Sequence, residues 1–423
     1  MLPTDQSHCL TRPPAPWWAG SRGVGSVGVG ERFGPIDFDQ FHRVNLPRRL
    51  AETSVHDLDG LRSIAFRLDD GRSYTYTPSP TGMVVMAGDS EAATIVEMTH
   101  HDWCVFVWEL QSCFALLYAG LVSLPKGGIG QLSRWEPILR AIFDGQTIYD
   151  LADPPPVLDG EGRPLDLGRS YSLEDSDDDI RAFLGYAGYV HLRGVFSPAE
   201  IDDLRLEVQA AIDRAGPDDQ RSWWTTVDGE EVCNRVNYLN DQSAMVAGLS
   251  HDARLLRIGA LGGSELRDAA DRLDGHTVVI KVPGAEMGLA DLPWHRDCGM
   301  GGHPVKCPML NIGIQLDAAT PGAGQLQMIA GSHLGTSRLP VGAEVDRLPV
   351  VALATQPGDV TAHWGHTLHA APPPSDRSAT GRRALYVTYV QPLTFEMIGP
   401  GQGFNDVLFT REGGRIHHVD ELR

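Results

Sequence analysis

At 423 residues with 42% hydrophobic content, the chain is long enough for two or three domains, each with its own core. A formal net charge of −20 and a pI near 5.1 argue against a nucleic-acid partner and against docking on anionic lipid headgroups. Six cysteines (Cys9, Cys104, Cys113, Cys233, Cys298, Cys307) without Cys-x-x-Cys spacing suggest no zinc site and read as reduced thiols, which points to the cytoplasm.

The N-terminus lacks the basic, apolar and small-residue order of a signal peptide. Residues 1–37, rich in Pro and Gly from 11 to 36, read as a flexible lead-in. From 38 to 150 the pattern is that of an α+β domain. A helix is expected over 38–50, and Arg62 to Leu68 alternates into the turn Asp69-Asp70-Gly71 as a hairpin strand does. Residues 73–77 and 83–86 continue the sheet. The most apolar window, 103–122, is about long enough to cross a bilayer. Glu109, Gln111 and Ser112 interrupt it, so a buried helix is expected and stable membrane insertion is not. Apolar residues recur at helical spacing over 135–143.

Residues 151–177, with Asp153-Pro154-Pro155-Pro156 and little apolar periodicity, read as a linker to a second domain over 178–400, followed by a tail over 401–423. The second domain opens on a helix over 177–186 with acidic residues in its first turn, where they favour the helix dipole. A strand over 189–196 follows. Ser197-Pro198-Ala199-Glu200 has the form of a capping box with Pro at the first helical position, leading a long helix to about Ala215.

The chemistry centres on Leu292-Pro293-Trp294-His295-Arg296-Asp297-Cys298. On a strand, His295 and Asp297 share a face and Arg296 points away. An imidazole and a carboxylate side by side can reach one metal ion, and a second histidine from a distant strand completes a two-His, one-carboxylate set suited to non-haem Fe(II). His-x-Asp also occurs at His100/Asp102 and His418/Asp420. Only the central copy is followed by Gly358-Asp359, His369, and Arg382-Arg383 opening a β-branched run.

Two resemblances follow from these residues. The helix–strand–capped-helix order of 178–215, with His295-x-Asp297, Gly331-Ser332-His333, Gly358-Asp359, His369 and Arg382-Arg383, resembles the phytanoyl-CoA dioxygenase family of Fe(II)/2-oxoglutarate oxygenases over roughly 178–395. The order of elements in 38–150, with Leu46-Pro47-Arg48-Arg49-Leu50 and Trp135-Glu136-Pro137, resembles a sterol-carrier-like domain. Together they imply an α+β N-terminal domain followed by a mainly-β double-stranded β-helix, or jelly roll, with flanking helices.

The first resemblance implies that His295, Asp297 and His369 bind Fe(II), and that Arg382 pairs with the distal carboxylate of 2-oxoglutarate through its planar fork. Arg383 is the rival and Arg377 stays open, because the 371–381 segment is slightly long for the pattern. Arg235 matches a position where the family places a basic residue near the co-substrate. Asn311, Gly313 and Gln315 share one face of a strand, either interior or exterior. The implied reaction consumes O2, decarboxylates 2-oxoglutarate to succinate and CO2, and hydroxylates an apolar or lipid-like small molecule. Asp297 stands where related halogenases have a small residue, so hydroxylation is the expected outcome. The alternative is a lipid-binding carrier whose barrel no longer turns over.

Other histidines have plainer expected roles. His366 becomes the ligand in place of His369 if the strand register shifts, and His363 lies in the same segment. His333 is expected to fix a turn through side-chain hydrogen bonds. His276 and His303 are expected at the surface or behind the site, and Trp223, Trp224 and Trp294 either line a pocket or fill a core.

Overall fold

The computed structural model describes residues 33–406 except 54–57, 59, 81, 286–291, 299–308, 378–380, 401–402 and 404. The lead-in up to residue 32, His303 and the His418/Asp420 pair therefore lie outside the described residues.

The N-terminal part is a five-stranded sheet with helices on it. A helical segment from Phe38 passes through a π-helical turn at Phe41–Asn45 into α1 (Leu46–Glu52). Strands β1 (Ile64–Leu68), β2 (Ser73–Ser79), β3 (Gly82–Ala87), β4 (Thr94–Met98) and β5 (Val122–Lys126) lie in the order β3-β2-β1-β4-β5. β1 and β2 form the expected hairpin, whose turn needs the left-handed φ of +89° that Gly71 supplies.

The single buried helix expected over 103–122 is instead two, α2 (His100–Val107) and α3 (Cys113–Tyr118), with Val122 opening β5. The break falls at Glu109, which takes a φ of +57° and is fully buried. Its carboxylate lies 3.2 Å from Arg140 and accepts from Gln146, both on or beside α4 (Ile129–Asp144). The chain turns there to deliver a charge to an interior partner, because a buried carboxylate without one is costly. No helix among the described residues is long and apolar enough to cross a membrane.

The second part begins with α5 (Asp177–Ala187) and β6 (Tyr189–Leu192), the latter ending four residues before the expected limit. The Ser197/Glu200 capping box is formed and starts α6 (Pro198–Arg214). Then come β7 (Ser222–Val227), β8 (Glu230–Val236), α7 (Ala253–Gly262), β9 (Arg267–Asp268), β10 (Thr277–Lys281), β11 (Leu292–His295), β12 (Leu310–Gln315), β13 (Gln327–Ile329), β14 (Val350–Ala352), β15 (Val360–Trp364), β16 (His369–Ala371) and β17 (Arg382–Val390). They form a large sheet ordered β6-β15-β12-β17-β10-β8-β7, with β9 on β17, and a smaller one ordered β11-β16-β13-β14. Two facing sheets with helices outside give the jelly-roll-like architecture expected.

Period-2 alternation divides the large sheet. Ile312, Ile314, Val360, Leu385 and Val387 are fully buried in one cluster with Leu184, Ile201, Leu204 and Ile258 of the outer helices. The alternate residues, Asn311, Gln315, Thr361, His363, Arg382, Tyr386 and Thr388, point the other way, so the polar face is the interior. Asn311, Gly313 and Gln315 thus lie inside.

The expected linker is docked rather than free. Within it Tyr171 pairs with Leu192 of β6, and just before it Thr147 and Tyr149 exchange hydrogen bonds with Thr336 of the barrel at 2.8 Å each.

One buried histidine in each part makes stability depend on pH. His42 donates from Nδ1 to the Phe38 carbonyl at 2.7 Å and stacks on Tyr74. His333 donates from Nε2 to the Gly185 carbonyl at 3.0 Å, a partner 148 residues away on α5 and outside its own turn. It packs so tightly on Gly188 that a Cβ there would lie 2.5 Å from its Nδ1. Burial pushes each imidazole down to about 4. Both are depressed below an unfolded value near 6.5, so their stabilisation is complete above that pH and is lost as pH falls towards 4, about 3 kcal/mol for each group. Denaturant midpoints measured from pH 7 to pH 4.5 are expected to fall, with His42→Gln reducing the slope.

Candidate metal centre

The antiparallel pairing of β11 with β16 puts His295 directly opposite His369, closing a sequence gap of 74 residues. Asp297 follows on the same face just past the strand, where its backbone N–H donates to the Gly365 carbonyl at 2.8 Å. Gly365 permits the approach, since a Cβ there would lie 2.6 Å from Cys298 Sγ. Ligand-type atoms of His295, Asp297 and His369 all lie within 4.8 Å of one another, and this trio is the cluster of metal-ligating type found among the described residues.

The hydrogen bonds set which nitrogen faces the centre. Nδ1 of His295 donates to the Pro293 carbonyl at 2.7 Å, and Nδ1 of His369 to the Thr367 carbonyl at 2.9 Å. Each proton is thereby fixed on Nδ1, leaving a lone pair on Nε2. Those Nε2 atoms sit 3.5 and 3.4 Å from the Asp297 carboxylate. Burial, and the neighbouring His295 and His363, hold His369 well below the ordinary imidazole value, so it is neutral. Burial pushes the Asp297 carboxyl up, but the three histidines, His369 foremost, pull it well below the usual range. Lone pairs facing a carboxylate repel unless a cation lies between them, and two imidazoles with one carboxylate are the donor set of non-haem iron. The residues present fit such an ion.

The large sheet supplies the support. Asn311 donates from Nδ2 to Asp297 Oδ2 at 2.5 Å and accepts from the Thr388 hydroxyl at 2.8 Å. Asn311, whose face the sequence left open, therefore points inward and holds the carboxylate. His363 also faces inward, with Nε2 3.3 Å from Asp297 Oδ2 and its ring 4.4 Å from that of His369. Its Nδ1 is buried without a hydrogen-bond partner, so its proton belongs on Nε2 and it donates to Asp297. Sequence reasoning gave His363 no role, although its alternation with Thr361 and Asp359 carries the signal. Alanine at Asn311 is expected to weaken metal binding about 10- to 100-fold while leaving the fold intact, measured by metal titration.

The three arginines separate cleanly. Arg383 is paired with Asp317 at 2.8 and 3.1 Å, away from the centre, and Arg377 is exposed beside Asp228. Arg382 is buried, and its Nε and Nη2 both donate to the Gly324 carbonyl, at 3.2 and 3.0 Å. It has no carboxylate partner among the described residues. Tyr386, on the same face, hydrogen-bonds it, and Lys281 lies directly opposite it on β10. Lys281 is a buried cation that the sequence reading did not single out. Arg235 reaches the interior too, but its guanidinium is committed to Asp274 at 2.8 Å and Asn237 at 2.8 Å and lies over Trp223. The buried Asp274 carboxylate needs that charge, so Arg235 is held by the protein, in place of its expected contact with the co-substrate.

The remaining groups sit elsewhere. His100 bonds the Ile36 carbonyl and Asp102 caps its own helix with Thr99, so this His-x-Asp pair does not converge. His366 lies on the far side of the loop from the trio. His276 is fully buried against Asp268 at 2.9 Å, not at the surface. Cys104, Cys113, Cys233 and Cys298 are buried thiols outside any disulfide.

Residues 186–384 match the phytanoyl-CoA dioxygenase (PhyH) family. No curated protein matches the chain. Among solved structures, EvdMO1 is 27% identical, covering 51% of this chain and 50% of its own, with a TM-score of 0.42. AviO1 from Streptomyces viridochromogenes Tue57 is 25% identical, covering 51% and 96%, with a TM-score of 0.42. The non-heme alpha ketoglutarate dependent carbocyclase SnoK from nogalamycin biosynthesis is 21% identical, covering 53% and 87%, at 0.41. The chain spans half the length of EvdMO1.

Proposed function

We propose, from the match of residues 186–384 to the phytanoyl-CoA dioxygenase (PhyH) family, that the chain is an Fe(II)/2-oxoglutarate-dependent oxygenase hydroxylating an apolar or lipid-like small molecule. The observation that carries the reading is the convergence of the Nε2 lone pairs of two buried imidazoles on one carboxylate.

His295, Asp297 and His369 are the proposed iron ligands. Bound there, iron with 2-oxoglutarate and O2 supplies the oxidising power for C–H hydroxylation, with succinate and CO2 as co-products. The chain's own residues do the positioning. Asn311 and His363 hold Asp297 in one orientation, and the backbone carbonyls of Pro293 and Thr367 keep both imidazole lone pairs inward. Arg382 is the proposed anchor for the distal carboxylate of 2-oxoglutarate, assisted by Tyr386 and Lys281 on the same face. The apolar layer outside the sheet excludes water from these charges and so strengthens them.

The proposed division is a catalytic domain over 178–400 and an N-terminal domain over 38–150, joined by the segment 151–177. For the sterol-carrier-like reading of 38–150, a scaffold role is favoured over a lipid tunnel. Phe38, Phe41, Trp103, Phe106 and Phe143 fill its core, each packed edge-on against another of the set. The test is succinate formation with Fe(II), 2-oxoglutarate and O2 against a panel of fatty acids, sterols and polyketides. Stimulation by a panel member, lost in Asp297→Ala, supports the oxygenase. Ligand retention without succinate in any condition leaves the carrier alternative.

A further inference from the structure

The metal-bearing segment has a second face. Strand alternation turns Arg296 away from the His295/Asp297 side, and with Cys298 and His366 it lines a cavity of about 520 Å³ between the barrel and the N-terminal part. Helix α4 forms the opposite wall through Arg134, Glu136 and Arg140, and the 335–344 loop closes a third side. The volume is in the range of small-molecule sites, which commonly lie between domains.

The lining is positive although the chain carries −20 overall. Arg134, Arg140, Arg296 and Arg338 line it against Glu136 and Glu344. Arg140 is shared by Glu136 and by Glu109 behind it, and Arg338 is paired with Glu344 at 2.5 Å. The four arginines outnumber Glu136, Glu344 and Glu109 by one, and Arg296 makes no ion pair with a carboxylate among the described residues. Its Nη1 donates to the carbonyls of Ser332 and His366 and its Nη2 to the Ser337 hydroxyl at 2.7 Å. Its Nε is buried without any partner. Tyr149, within electrostatic reach of Arg296, likewise has a buried hydroxyl without a partner. Tyr149 does not line the cavity, so contact with an anion falls to Arg296, whose single uncompensated charge suits a monoanion. Leu339 and Val341, 43% and 64% exposed, present apolar surface along the same cavity.

We infer that this interdomain cavity binds a small amphipathic monocarboxylate, its carboxylate on Arg296 and its apolar chain along Leu339 and Val341. The site is separate from the iron centre and does not depend on that assignment. Arg296 also ties the His366 carbonyl, three residues before His369, so an occupant would bear on the metal loop from behind.

Calorimetric titration of the full chain with hexanoate, hexan-1-ol and inorganic phosphate tests the proposal without any turnover readout. Saturable hexanoate binding, at least about tenfold tighter than that of the alcohol or phosphate and reduced about tenfold or more by Arg296→Gln, is expected. Arg296 also braces two carbonyls, so Ser133→Trp, which fills the cavity from α4 without touching those bonds, provides the second variant. It is expected to abolish hexanoate binding at unchanged melting temperature. Absence of hexanoate binding, equal binding of the alcohol or of phosphate, or an affinity unchanged in both variants overturns the inference.

Discussion

Alanine in place of His369 is expected to abolish metal-dependent succinate formation and to weaken Fe(II) binding by well over about 100-fold. That bound follows because even the groups that merely orient metal ligands are commonly worth 10- to 100-fold. His369 and His295 are cross-strand partners, so the substitution leaves only two ligands, both from one short stretch of chain. The loss of a neutral, inward-facing Nε2 removes a donor that no neighbour replaces: His363 is engaged with Asp297, and His366 lines a different cavity. Metal titration of the purified variant, alongside a thermal melt, separates ligand loss from misfolding. Tight iron binding by the alanine variant, with a normal melt, contradicts the assignment. His366→Ala should leave metal affinity within about threefold, since that ring lies outside the trio.

Arg382→Ala should raise the 2-oxoglutarate concentration needed for half-maximal turnover by roughly two orders of magnitude. Truncating one partner of a buried, hydrogen-bonded charge pair costs about 2–5 kcal/mol. The comparison with its neighbour is the sharper test. Arg383→Ala breaks the Asp317 pair on the other side of the strand, so it should lower the melting temperature while leaving the 2-oxoglutarate requirement unchanged. Arg377→Ala, at an exposed pair, should change neither. A larger effect at 383 than at 382 would mean that the strand register of β17 had been misassigned. Steady-state kinetics varied in 2-oxoglutarate, with Fe(II) saturating, read all three variants directly.

The motifs, through the family they resemble, implied a jelly roll for the second part and pointed to His295, Asp297 and His369, which the fold brings together. The Ser197-Pro198-Ala199-Glu200 cap and the Gly71 turn are decided within a few residues, so they were legible. Three other features were not. The break between α2 and α3 depends on Glu109 reaching Arg140, a partner 31 residues away that no local propensity encodes. The orientation of Asn311 was undecided because its strand is apolar on one face and polar on the other, and alternation alone does not say which face is inside. In this barrel the apolar face is covered by helices and the polar face lines the centre, the reverse of a sandwich with a dry core. The pairing of Arg235 was not legible because Asp274, which neutralises it, comes from another segment.

What the chain determined by itself is the set of ligand types and their alternation: His295 and Asp297 share a face because side chains on a strand repeat every two residues. Which distant imidazole joins them, which arginine stays uncommitted and which histidine becomes a brace were decided only by strand pairing and by the placement of buried counter-charges. Those are properties of residues far apart in sequence, and a charge inside a protein is defined by the partner that the fold brings to it.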